Sequence, residues 1–364
     1  MAAPIYVPIV KSKQSEMLGL HHLESPIKQR IFPLVDLAAP SKEKDKADAI
    51  KYVERNVKGL SRYLNGFSNV MLDSSEMDTG IRVAKGHHPL HEAASLLQEA
   101  GIRVIPVVGL SRDESHFDAA KSIAKKNGEK IVSVRLDDYD LDTPSESAIR
   151  LIKLMQGTLR DFQIYLLYDF RDVFGKDSAA LASRAAAITA KLNDIQPIAT
   201  IVAGCGIPER MAQAVPSRSA GYIPRDEIEI WLQYQKTVTS GHPIIPGDYT
   251  TVTPDHAELD WRIIRKTAGP KIVYTLEDQW FVIRGGAFES HPLGHAQYFE
   301  LAKSVTRLPE YPGGKFSYGD QYISEKSRKQ GKCGSAGTWI TACVNRHITL
   351  TVHTLDGVVN PQPY

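Results

Sequence analysis

Eight short apolar, β-branched runs recur along the first 250 or so residues with helix-patterned segments between them, and no other feature limits the fold of this chain as much. They are YVPIV (6–10), IFPLVDL (31–37), NVMLDS (69–74), RVIPVVGL (103–110), KIVSVRL (130–136), QIYLLYDF (163–170), IATIVAG (198–204) and PIIPGDYTTV (243–252). Most are near-continuous rather than alternating, as expected of parallel strands covered on both faces. Between them, segments such as HPLHEAASLLQEAG and ESHFDAAKSIAKKNG carry apolar residues at three- and four-residue spacing, with Gly101 and Gly128 as helix stops. Strand, helix, strand at this spacing is the βα unit, and eight units predict an α/β fold of the (β/α)8, TIM-like barrel type over residues 1–254.

One segment tests that count. EIEIWLQYQK (227–236) reads as a helix, because Pro224 and Asp226 precede it as start signals. Taken as a ninth strand, it would favour an open, doubly wound sheet instead. Beyond the barrel, residues 255–364 are expected to form a C-terminal hairpin-plus-helix extension: a hairpin over 271–286 about Glu277-Asp278, an amphipathic helix over 295–308, a Pro/Gly-rich connection through FSYGD, and a long element from Gly337. The extension is expected to pack on the barrel as one structural unit, with VNPQPY as a loose end.

At 364 residues, 42% hydrophobic and 24% charged, the chain can bury a large core, and no run reaches the 18 apolar residues of a membrane span. The start MAAPIYVPIVKSKQ lacks the layout of a signal peptide, so a cytoplasmic location is expected, with no membrane partner. Cys205, Cys333 and Cys343 are odd in number and without CxxC spacing, which points away from a disulfide framework or a zinc knuckle. A net charge of +2 excludes a generally polyanion-binding domain; KSRKQGK (326–332) reads as a solvated loop face. His87 and His91 have the spacing of two helical metal ligands but no third ligand nearby. No GxSxG, P-loop or HExxH motif is present.

Barrel enzymes keep their chemistry at the C-terminal ends of the strands. Those ends are unusually polar here: Lys11, Asp36, Asp73, Arg135, Asp169, and Asp248 with Tyr249. Four aspartates, Asp36, Asp73, Asp169 and Asp248, are candidates to hold a divalent metal such as Mg or Mn, or to divide into acid and base. Lys11 and Arg135 would face an anion, and Gly204 and Gly206 would offer backbone N–H groups to a phosphate. The bland alternatives are helix capping, mutual ion pairing and a tight glycine turn. In the tail, His347 reads as a satisfied, part-buried histidine, and Trp280 and Trp339 as core anchors that would stack on a base or sugar only if they faced the opening.

Several phrases in order, YVPIVKSKQSEMLGL, IFPLVDL, GDY, VYTLEDQWFVIRGG, FSYGDQYI and TWITACVNRHITL, resemble the beta protein family of tailed phages and bacteria over nearly the whole chain. The resemblance implies a barrel and a phage or host-conflict setting, and no established activity. Matching polar residues are Lys11 and Glu16, Asp248 and Tyr249, Arg284, Asp320, Trp339, and Asn345 with His347. The chain departs from the pattern at Arg346, where a second histidine is expected, and at Ile340, where an arginine is expected.

Two functional readings follow. The first is a phosphodiesterase-like hydrolase acting on a nucleotide or nucleic-acid end: Lys11, Arg135 and Arg284 bind the anion, Asp169 and Asp248 hold metal or serve as acid and base, and Tyr249 orients the leaving oxygen. Its catalytic set is Asp169, Asp248, Tyr249, Lys11 and Glu16; its binding set is Arg135, Gly204, Gly206, Arg284, Trp339, Asn345 and His347. It requires Lys11, Asp36, Asp169 and Asp248 to share one cavity. The second is a noncatalytic scaffold that recognises or inhibits a phage or host protein.

Overall fold

The structure, a computed structural model, describes residues 4–39, 49–77, 81–83, 86–192, 194–254 and 267–359. Eight strands close a parallel barrel in the order β1 (Val7–Lys11), β2 (Leu34–Asp36), β3 (Asn69–Asp73), β4 (Arg103–Gly109), β5 (Ile131–Leu136), β6 (Gln163–Asp172), β7 (Ala199–Cys205) and β9 (Ile244–Asp248), which returns to β1. These are the eight runs expected from sequence. Strand pairing places Lys11, Asp36 and Asp73 in register at one level.

Side chains alternate across each strand, so the two faces of the barrel wall can be read off by parity. Val7 and Ile9, Leu34, Met71, Ile105 and Val107, Tyr165 and Leu167, Ile201 and Ile245 fill the interior. Their neighbours Val10, Val35, Leu72, Val134, Leu166 and Val202 face the surrounding helices instead. Each such buried aliphatic side chain contributes roughly 1.5–3 kcal/mol of transfer free energy. The barrel is therefore a packed core, with the buried Ser133 hydroxyl at mid-strand in β5 and the charged residues toward the strand ends.

The helices in chain order are α1 (Gln14–His21), α2 (Ser25–Lys28), α3 (Ala49–Tyr63), α4 (Pro89–Glu99), α5 (Glu114–Lys126), α6 (Asp138–Asp142), α7 (Pro144–Gln156), α8 (Ser178–Thr189), α9 (Asp226–Thr237), α10 (Gln297–Val305), α11 (Tyr318–Ser327) and α12 (Ala336–Val359). Asp113 caps α5 through the His116 N–H, and Asp177 caps α8 through the N–H groups of Ala179 and Ala180. Gly101 and Gly128 follow α4 and α5 at φ 79° and 76°, a backbone state that glycine adopts without strain. The segment EIEIWLQYQK lies in α9, so the doubly wound alternative falls away.

The C-terminal part differs from expectation in two elements. A strand unrecognised in sequence, β8 (Ala220–Pro224), joins the hairpin of β10 (Lys271–Thr275) and β11 (Gln279–Arg284) in an antiparallel sheet ordered β10-β11-β8. The FSYGD connection also opens a helix, α11, because Ser317 accepts the Asp320 N–H as its N-cap. Within the sheet, Val273, Trp280 and Val282 pack with residues of the barrel interior cluster, and Ile272, Tyr274 and Phe281 pack with Tyr298 and Leu301 of α10 and Trp339 of α12. Helix α12 lies against α1: Thr341 Oγ1 donates to Ser15 O, and Val344 fills the space over Gly19, where a Cβ would meet it at 2.7 Å. Residues 255–266, at the start of the extension, and the tail 360–364 lie outside the described residues. Cys205, Cys333 and Cys343 are all free thiols. Among the described residues, no helix is long and apolar enough to cross a membrane.

Candidate active site at the barrel mouth

Parity decides which strand-end polar residues can meet. Asp36, Asp73, Arg135 and Asp169 continue the inward-facing series of β2, β3, β5 and β6, and Tyr249 continues that of β9. Asp248 is the next residue along from Tyr249 and so faces the other way. The four-aspartate constellation therefore divides into two centres.

At the first, Arg135 is 4% exposed, and its guanidinium spends every donor on its neighbours. Nε and Nη2 donate to Asp169 Oδ2 at 2.9 and 2.7 Å, Nη1 to Asp36 Oδ1 at 2.7 Å and Asp73 Oδ2 at 2.9 Å, and Nη2 also to the Tyr249 hydroxyl at 2.7 Å. Tyr249 in turn donates to Asp169 Oδ2 at 2.6 Å. Two expectations are corrected here. A guanidinium, not a cation site, stands between Asp36, Asp73 and Asp169, and among the described residues no group of three or more His, Cys, Asp or Glu is arranged to hold a metal ion. Nor does Arg135 have a free N–H for a substrate anion; it holds three carboxylates and a phenol in place.

Charge is divided unevenly around it. Burial raises Asp36 to about 6 despite Arg135 beside it, with Asp73 adding repulsion. Burial also opposes ionisation of Asp73, but Arg112, Arg135 and His116 overcome it and hold its pKa at about 2.

Next to this centre, at the end of β1, lies a second layer. Lys11 Nζ pairs with Glu76 at 2.6 Å, and its backbone N–H donates to Glu16 Oε2 at 2.8 Å. Glu16 sits in the first turn of α1 and is 3% exposed. Burial lifts its carboxyl to about 7, against the pull of the Lys11 N–H and of Lys13 and Lys11, with Asp36 adding to the rise. Lys13, the N-cap residue of α1, is part-exposed; its backbone oxygen accepts the Met17 N–H at 3.0 Å, and its side chain has no hydrogen-bond or ion-pair partner among the described residues. Burial and the Lys11 charge lower its pKa. Lys13 carried no distinct signal in sequence; its role emerges only once α1 folds back over the end of β1.

The second centre is closed. Asp248, on the outer side of β9, meets His347 of α12, whose Nε2 lies 2.8 and 3.0 Å from its two oxygens. Tyr6 donates to Asp248 Oδ1, Arg225 Nη2 to Oδ2 at 3.3 Å, and Thr275 Oγ1 lies 3.1 Å from His347 Nδ1. Trp280 stacks on the His347 ring at 4.8 Å. Burial lowers the pKa of His347, and it works against the Asp248 carboxylate, which His347, Arg225 and Tyr6 nonetheless hold below its ordinary value. Tyr6, Asp248, Trp280 and His347 are all at most 1% exposed. Asp248 thus does not share the cavity with Lys11, Asp36 and Asp169 that a four-aspartate enzyme required, and that form of the enzyme reading is corrected.

The other expected contacts are likewise engaged. A Cβ on Gly204 would stand 2.9 Å from Val173 Cγ1, and one on Gly206 would stand 2.5 Å from Glu227 Oε2, so protein side chains occupy the proposed phosphate cradle. Trp339 donates Nε1 to Cys333 O at 3.0 Å and stacks on Tyr298 at 4.8 Å, as a core anchor. Asn345 takes the Gly319 N–H and donates to Gly19 O, tying α11 and α1 to α12. Asp320 accepts from Tyr274 and Ser317 within the same packing layer. Arg284 lies apart from the mouth, at the end of β11.

A family model described as Beta protein matches residues 6–353. The chain belongs to the beta protein family. No curated protein matches it. Among solved structures, the beta protein barrel is similar to triosephosphate isomerase from Bartonella henselae, at 14% identity and a TM-score of 0.36, over 66% of this chain and 91% of that one.

Proposed function

We propose that this beta protein is a hydrolase acting by acid–base chemistry on a phosphate-bearing substrate, a nucleotide or nucleic-acid end, at the β1 side of the barrel mouth. The observation that carries the reading is the meeting of Glu16, with its carboxyl at about 7, and the unpartnered Lys13 beside Lys11. A carboxyl poised at that value exchanges protons readily at neutral pH. Glu16 takes a proton from water as the water oxygen bonds to phosphorus and the bond from phosphorus to the leaving oxygen breaks; the protonated Glu16 then returns that proton to the departing oxygen, and the Lys13 ammonium balances charge on the phosphoryl oxygens. Arg135 acts at a distance from the reacting atoms, by fixing Asp36, the acidic neighbour that helps hold Glu16 high. Asp169 and Tyr249, bound to Arg135, have the same positioning role rather than roles as acid, base or leaving-group donor. The phage or host-conflict setting suggested by the family, and a cytoplasmic location, would supply such substrates.

A noncatalytic scaffold is the rival, favoured by the full saturation of Arg135. The test is phosphate release from a panel of mononucleotides, cyclic nucleotides and oligonucleotides. Turnover by the wild type that is lost in both Glu16→Gln and Lys13→Met supports the hydrolase. No turnover with any panel member removes it and leaves the scaffold.

A further inference from the structure

At the end of the three-stranded sheet, away from the chemistry assigned above, Arg218, Arg284, Gly286, His291 and Leu293 line a cavity of about 480 Å³. Neither guanidinium has a carboxylate partner among the described residues. Arg284 donates Nη1 to Val215 O at 2.6 Å, and the Arg218 side chain makes no hydrogen bond there. Glu300, the one carboxylate among the described lining residues, is paired with Lys329 at 3.2 Å. Burial pulls the Arg284 pKa down, the response of a cation removed from water without a counter-charge.

The backbone is shaped to present these groups. Arg218 has φ 60°, a left-handed conformation that a long side chain rarely adopts. It is held there by its own N–H to Gly285 O at 3.3 Å, by Ser217 Oγ to the same oxygen at 3.0 Å, and by Arg284 N–H to Ser219 O at 2.9 Å. A Cβ on Gly286 would stand 2.8 Å from Arg218 Nε and 3.2 Å from His291 Cδ2. The glycine pair that follows Arg284 therefore lets Arg218 lie across the chain beside the cavity. Ile283, Leu301 and the half-exposed Leu293 supply an apolar wall next to the cations.

We propose that this cavity binds a phosphate-bearing small molecule of mononucleotide size, its phosphate gripped by Arg218 and Arg284 and its flat body laid against Ile283, Leu293 and Leu301. Forked guanidinium donors match phosphate oxygens in pairs, and two on one anion give both charge and direction. The apolar wall distinguishes a ligand with a body from a bare anion.

Isothermal titration at low salt with AMP, adenosine and inorganic phosphate tests this. AMP binds the wild type more tightly than either fragment, and Arg218→Gln or Arg284→Gln weakens AMP at least about tenfold, the scale of a lost hydrogen bond to a charged group. Raising the salt weakens binding further. Since Arg284 also braces Val215, the more exposed Arg218→Gln is the deciding variant, with its melting temperature measured alongside. The same titrations run in a Lys13→Met background, where the mouth lacks the ammonium it offers to phosphate, report this cavity alone, so failure of the mouth chemistry and failure of this site are read separately. The proposal is overturned if AMP does not bind, if adenosine or phosphate alone binds as well, or if Arg218→Gln keeps the wild-type affinity.

Discussion

Replacing Glu16 by glutamine separates stability from activity in a way that follows from its surroundings. The carboxyl is buried, and burial lifts it from an ordinary value near 4.5 to about 7. Below about pH 4.5 folded and unfolded chains both carry the proton. Between 4.5 and 7 the folded chain still binds it while the unfolded chain has released it, so this residue's contribution to stability falls as pH rises. At about 1.4 kcal/mol for each pH unit across that window, the wild type has lost about 3 kcal/mol by pH 8. Glutamine resembles the protonated acid, keeps an oxygen for the Lys11 N–H, and has no proton to lose. Glu16→Gln is thus expected to match the wild type near pH 4.5 and to exceed it by about 3 kcal/mol at pH 8 in urea unfolding, while phosphate release is abolished. A variant no more stable than the wild type at pH 8, or a stability gap that does not change with pH, would refute both the buried acid and the chemistry built on it.

Three other outcomes test the frame around the site. Arg135→Met leaves the buried Asp36 and Asp169 without their cation and Asp73 with Arg112 alone, and should cost about 3–5 kcal/mol in chemical denaturation at pH 8; a loss under about 1 kcal/mol would mean the mouth is wetter than described. Asp248→Asn should cost about 3 kcal/mol by weakening its bonds to His347 and Arg225, and an unchanged melting temperature would return Asp248 to the list of chemical groups. Gly319→Ala places a Cβ 2.1 Å from Ala342 O, forcing α11 off α12; a loss of at least about 1–3 kcal/mol is expected, and a neutral effect in thermal unfolding would show that the two helices can separate freely.

The barrel was legible because its signal is repeated eight times and each repeat is near-continuously apolar. The site was legible only in part. Sequence marks which residues stand at strand ends, but adjacency hides orientation: Asp248 and Tyr249 are neighbours, and the pleat sends one to α12 and the other to Arg135. That division was open to a parity argument. The saturation of Arg135 was not, since it depends on four strands converging on one guanidinium. Strand β8 escaped notice because AGYIP is short, holds a glycine and a proline, and gains its pairing only from the distant β11. Helix α11 was masked by the proline and glycines before it, although the Ser317 cap was present to be read. Lys13 has no motif at all; its meaning comes from the fold of α1 over β1.

The bond network of Tyr6, Asp248 and His347 bears on how the chain is made. Tyr6 lies 242 positions from Asp248 and 341 from His347, so the first strand, the last barrel strand and the final helix meet in one buried knot. A ribosome adding roughly 5–20 residues each second delivers the stretch from Asp248 to His347 in roughly 5–20 s. Throughout that interval β9 can pair with β1 and β7, yet the carboxylate on its outer side waits for the histidine that covers it. Nascent chains of this protein should therefore pass through a closed but uncovered ring, exposed to proteases and to partners until the last helix emerges and docks.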